Sequence, residues 1–156
     1  KIKRAAPEVI FLPNYYSEVP LQIQQARRLG IKAAFLGSDS WGSGDILGLG
    51  AKDVEGCYFS THYSADNVSA EAVKFIESYK KTYGSVPDDV ASLTYDAFGL
   101  LASAIKGAGK ADREAVRNAL AVLPGYNGVT GSMQFDGKSG DPVAGGRRRC
   151  MGHLSA

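Results

Sequence analysis

Three short stretches hold most of the side chains able to do chemistry: Asn14-Tyr15-Tyr16, Ser38-Asp39-Ser40-Trp41 and Thr61-His62-Tyr63. Each sets aromatic rings beside hydroxyl, amide, carboxylate or imidazole groups, the mixture found where a small polar molecule is held. The same residues allow a serine-hydrolase reading. In it Ser40 attacks, His62 takes its proton and Asp39 orients the imidazole. The Gly-x-Ser-x-Gly pattern of such enzymes is not met, because Ser38 stands where the first glycine belongs. Two histidines, His62 and His153, and two distant cysteines, Cys57 and Cys150, make no metal-ligand set, so neither metal nor cofactor is expected. The glycine-rich run from Gly42 to Gly50 lacks the lysine of a phosphate-binding loop and the dinucleotide fingerprint.

The elements around these stretches explain why they belong together. Glu8 to Asn14 is a short apolar run that predicts a strand buried on both faces. Residues 17–30 read as a helix, with Pro20 in its first turn and Gly30 at its end. Ile31 to Gly37 is a second strand, a short helix follows over about 44–52, and Gly56 to Tyr63 is a third strand. The order β-α-β-α-β at this spacing predicts a parallel sheet with helices on its faces. Ligands sit at the carboxyl ends of such strands, and the three polar-aromatic stretches occupy those ends.

Beyond Tyr63 the texture changes. Residues 69–84 predict an amphipathic helix with a serine cap, an early acid, late lysines and a closing glycine. Pro87 with Asp88 and Asp89 breaks the chain before a longer apolar helix over 90–108, and Asp112 caps another over 112–123. Gly128 to Asp136 alternates as a strand or hairpin edge. The stretch 143–156 is rich in Gly and Arg and without period, which predicts a disordered tail.

The chain has 156 residues, 44% of them hydrophobic and 22% charged, a composition suited to a packed globular core without disulfides or metal. Its formal charge of +2 is unevenly placed. Without Lys1, Lys3, Arg4 and Arg147, Arg148 and Arg149, the body carries 12 basic against 16 acidic side chains. Basic tips on an acidic body argue against nucleic acid as a partner, because such binders need a basic face.

Read in order, the segments Pro7-Glu-Val-Ile-Phe-Leu-Pro-Asn-Tyr-Tyr-Ser-Glu-Val19, Gln25-Ala-Arg-Arg-Leu-Gly-Ile-Lys-Ala33, Phe35-Leu-Gly-Ser-Asp-Ser-Trp41 and Val54-Glu-Gly-Cys-Tyr-Phe-Ser-Thr-His-Tyr63 form a recognisable series. It continues through Phe75-Ile-Glu-Ser-Tyr-Lys-Lys-Thr-Tyr-Gly84, Tyr95-Asp-Ala-Phe98, Gly128-Val-Thr-Gly-Ser-Met-Gln-Phe-Asp136 and Gly140-Asp-Pro142. From Pro7 to Pro142 the chain resembles the C-terminal portion of type I periplasmic solute-binding proteins, those serving branched-chain amino acid ABC transporters. The resemblance implies an α/β fold: a parallel-sheet, three-layer second lobe over residues 1–89, left incomplete. Helices and a short hairpin resembling the end of the first lobe would follow over 90–142, and then a non-family tail over 143–156.

The resemblance also implies a function. Family members capture a small solute between two lobes and pass it to a membrane permease, without catalysis and outside the cytoplasmic membrane. Tyr15, with Tyr16 beside it, matches the family's aromatic ligand contact. Asp39, 24 positions after Tyr15, matches the acidic residue that accepts the ligand's α-ammonium, where relatives often carry Glu. Trp41 would add an aromatic wall, and Tyr95 falls near the crossing to the first lobe. The family's leading half, with its Ser/Thr cluster for the ligand carboxylate, has no counterpart here, so the sequence reads as a fragment. Exposed edges would then favour a homo-oligomer. A periplasmic location follows from the family alone, since Lys1 to Ala6 shows no signal-peptide pattern.

Overall fold

A computed structural model describes residues 1–63, 69–138, 140, 142–145 and 150–154. The chain forms two compact units, residues 1–64 with 149–156, and residues 65–148. This division comes earlier than the expected boundary after residue 89. The Phe75 ring packs 4.5 Å from that of Tyr95, which joins the helix at 70–83 to the helices that follow it.

The first unit carries a short helix α1 (Ile2–Ala5), then β1 (Val9–Leu12), α2 (Val19–Arg28), β2 (Ala34–Gly37), α3 (Asp45–Gly50) and β3 (Tyr58–Thr61). Single 3-10 turns at Asp39–Trp41 and Ala51–Asp53 flank α3. Strands β1, β2 and β3 pair in parallel, with Leu12 opposite Gly37 and Leu36 opposite Tyr58, as the β-α-β-α-β spacing predicted. Pro20 lies in the first turn of α2, where its missing N–H costs nothing.

Helices α2 and α3 cover one face of this sheet. Val19, Ile23, Phe35, Trp41, Ile46, Val54, Cys57 and Leu154 form the core there, with Ile10, Leu12 and Phe59 packed against it. The opposite face keeps Val9, Phe11 and Tyr58 at 50%, 59% and 41% exposure. So β1 is covered on one face, not on both as its unbroken apolar run suggested. Arg27 ties the helix end to the sheet: its guanidinium donates to the Ile31 and Ala33 carbonyls and lies 4.8 Å from the Phe35 ring centre. Burial pushes the Cys57 thiol up, with Arg27 partly opposing, so Cys57 serves as a small apolar core residue.

The tail supplies a correction. Instead of lying free, Cys150–His153 forms a strand antiparallel to β3, with Tyr58 opposite His153 and Thr61 opposite Cys150. Gly56 N–H donates to the Leu154 carbonyl, Leu154 N–H donates to the Cys57 carbonyl, and Leu154 enters the core. The free edge of β3 and one apolar side chain organise this segment. Neither leaves a periodic mark in the tail's own sequence. The three arginines Arg147, Arg148 and Arg149 lie outside the described residues.

The second unit holds α4 (Ala70–Tyr83), α5 (Asp89–Ala108), α6 (Arg113–Ala121) and an antiparallel sheet of β4 (Tyr126–Gly128), β5 (Gly131–Phe135) and β6 (Pro142–Gly145); the tail strand is β7. The predicted caps are present. Ser69, Asp88 and Asp112 side chains accept from Ala72, Ala91 and Ala115 N–H, and Gly84 closes α4 at φ 75°. Asp96 on α5 is buried and accepts from Val129 N–H, Thr130 N–H and the Thr130 hydroxyl, which fastens the β4–β5 turn to the helix.

Candidate functional site

The parallel register brings the carboxyl ends of β1, β2 and β3 to one edge of the first unit's sheet, where the three polar-aromatic stretches emerge. Two of them are tied together. The Ser40 hydroxyl donates to the Asn14 carbonyl at 2.8 Å, and Tyr16 N–H donates to the Ser40 carbonyl at 3.2 Å. The Ser38 and Ser40 hydroxyl oxygens lie 2.6 Å apart; since the Ser40 proton goes to Asn14, Ser38 is the donor of that pair. Tyr15 stands between the two anchored residues and is 67% exposed.

Asp39 begins the turn after β2 and keeps its side chain 55% exposed. His62 follows β3 and brings its Nδ1 to 3.7 Å from Asp39 Oδ2. Next to it the Thr61 hydroxyl donates to the Tyr63 carbonyl at 3.0 Å, holding the exit of β3. The edge therefore presents an aromatic ring, a solvent-facing carboxylate and an imidazole. A carboxylate so placed can accept an ammonium group through charge-assisted hydrogen bonds.

Of the residues singled out from sequence, Tyr15, Tyr16 and Asp39 come together here. Tyr16 is half-buried against the core, leaving Tyr15 as the more available ring. Trp41 does not join them, against expectation. It is fully buried, its indole over Gly37 where a Cβ would overlap the ring, and its centroid lies 6.5 Å from that of Phe59. The bare α-carbon of Gly37 opens the space that draws the indole inward, so it shows no face to a ligand. Tyr95 stands on α5 of the second unit, half-exposed beside Phe75.

The hydrolase arrangement is not assembled. His62 does turn its Nδ1 toward Asp39 as a triad would have it, but Ser40 gives its proton to the Asn14 carbonyl. A nucleophile needs a base within hydrogen-bond reach, and Ser40 has spent its proton elsewhere. What sequence reading missed is this tie from Ser40 to the Tyr15 loop. A serine next to an acid looks alike whether it caps, attacks or latches, so no local signal marked it.

Comparison with known proteins follows the same lines. A family model described as "Periplasmic binding protein" matches residues 1–147. Among curated proteins, the chain is 27% identical over 138 residues to the leucine-, isoleucine-, valine-, threonine- and alanine-binding protein of Pseudomonas aeruginosa, covering 88% of this chain and 36% of that one. Among solved structures, a leucine-binding protein of Thermotoga maritima superposes with a TM-score of 0.81 at 31% identity, over 92% of this chain and 43% of that one. A branched-chain amino acid transporter substrate-binding protein of Streptococcus pneumoniae, solved with isoleucine, gives 0.72 at 26% identity over 92% and 45%. The chain thus spans under half the length of these relatives. With the match running over 147 of 156 residues and the parallel α/β sheet of the type I fold in place, the chain belongs to the periplasmic binding protein family.

Proposed function

We propose that this chain takes part, without catalysis, in capturing an amino acid for an ABC transporter, and that the carboxyl edge of β1–β3 is its contribution to the ligand site. Asp39 accepts the ligand's α-ammonium, and Tyr15, with Tyr16 behind it, lays an aromatic surface beside the ligand. The observation that carries this reading is the exposed Asp39 carboxylate tied, through Ser40, to the loop bearing the exposed Tyr15. Branched-chain amino acids are the favoured ligands because the similar proteins are named for binding them. A periplasmic location and delivery to a membrane permease belong to the same proposal and rest on family membership.

Titration calorimetry with a panel of amino acids tests it. Leucine, isoleucine or valine should release heat, and Asp39→Asn should weaken binding about 10- to 100-fold, the worth of one charge-assisted hydrogen bond. Equal affinity in Asp39→Asn removes Asp39 from the ammonium role, and silence with every amino acid removes the ligand reading. Self-association is the remaining part of the proposal, supported by the outer edge of β1, unpaired among the described residues, and by the half-exposed Val9, Phe11 and Tyr58 on one sheet face. A monomer by light scattering at micromolar concentration overturns it.

A further inference from the structure

We propose that Ser40 is a positioning residue that holds the loop bearing Tyr15 beside the turn bearing Asp39 before any ligand arrives; this rests on the ligand reading above. Strand pairing cannot do this. The last paired residues of β1 and β2 are Leu12 and Gly37, so residues 13–16 and 38–40 lie past the end of the ladder. Packing cannot do it either, since the Tyr15 and Asp39 side chains are both largely exposed.

The hydrogen bonds of Ser40 take over at that point. Its hydroxyl holds the Asn14 carbonyl and its carbonyl holds the Tyr16 N–H, gripping the residues on both sides of Tyr15. The Tyr15 carbonyl is held as well, accepting from Glu18 and Val19 N–H at the start of α2. Ser40 is itself peptide-bonded to Asp39, so one residue joins the aromatic contact to the acidic one. The Ser38 hydroxyl donates into Ser40 and orients it from behind. Holding both contacts in place beforehand spares the ordering cost that binding would otherwise carry.

Ser40→Ala and Ser40→Thr in the full chain decide the point. The first readout needs no ligand: hydrogen exchange at the Tyr16 amide, whose acceptor is the Ser40 carbonyl and so survives both substitutions. Ser40→Ala should speed that exchange about fivefold and Ser40→Thr, which keeps a hydroxyl, should restore it, as expected for one net hydrogen bond. The second readout is leucine affinity by calorimetry, weakened by a similar factor in Ser40→Ala and rescued in Ser40→Thr. Unchanged Tyr16 exchange in Ser40→Ala overturns the proposal, as does an equal loss of leucine affinity in both variants. A chain that binds no leucine, isoleucine or valine overturns the ligand reading and the positioning role with it, while Tyr16 exchange still decides whether Ser40 holds the loop.

Discussion

Replacing Asp96 tests how the second unit is held together. Asp96 is 1% exposed on α5, and its two oxygens collect three hydrogen bonds from a turn more than thirty residues later. Val129 N–H reaches Oδ1 at 2.8 Å, while Thr130 N–H and the Thr130 hydroxyl reach Oδ2 at 2.8 and 2.6 Å. Asp96→Ala strands the Val129 and Thr130 amides without their acceptor, and Val129 is itself buried. Losing a buried charged acceptor of several donors costs about 3–5 kcal/mol. Asp96→Asn keeps the shape and one acceptor oxygen, so it should cost less, about 1–2 kcal/mol. Gly128→Ala attacks the same contact from the other side, because its new Cβ would overlap the Asp96 carboxyl. Urea denaturation followed by circular dichroism gives the stability losses, and amide exchange at Val129 and Thr130 shows whether the turn has come loose. A loss below about 1 kcal/mol in Asp96→Ala, less than a single charged hydrogen bond, would refute the argument. So would unchanged protection of the two amides.

Two more expectations follow from close contacts. Gly37→Ala drives a Cβ into the Trp41 ring and should destabilise the first unit by about 1–3 kcal/mol, with the emission of this sole tryptophan moving toward the red; an unchanged spectrum and stability would contradict the packing. Burial first, then the Asp96 carboxylate and Tyr95, push the Tyr126 phenol above its ordinary value. The folded chain therefore holds this proton after an unfolded tyrosine, at about 10, has lost it. Its contribution to stability is full below that pH and is lost as pH rises through the folded value. An absorbance titration should show a late tyrosine component that Tyr126→Phe removes and denaturation makes ordinary.

Much of this protein can be read in its sequence because the deciding forces act between near neighbours. Ser69, Asp88 and Asp112 cap helices through their own next turns, Gly84 closes α4 by tolerating a positive φ, and the apolar runs of β1 to β3 alternate with helices at crossover spacing. The parallel sheet, its carboxyl edge and the place of Tyr15 and Asp39 along that edge were legible on those grounds, together with the order of segments that resembles the family. Tertiary structure decided what depends on partners distant in sequence. Trp41 turned inward because Gly37 left room beneath it, and β7 formed because β3 offered a free edge. Asp96 found its donors 33 and 34 residues away, and Ser40 found the Asn14 carbonyl 26 residues back. Such contacts depend on the volume, edges and donors that remain once the chain has folded, and those are properties of the packed chain, absent from any short stretch of it.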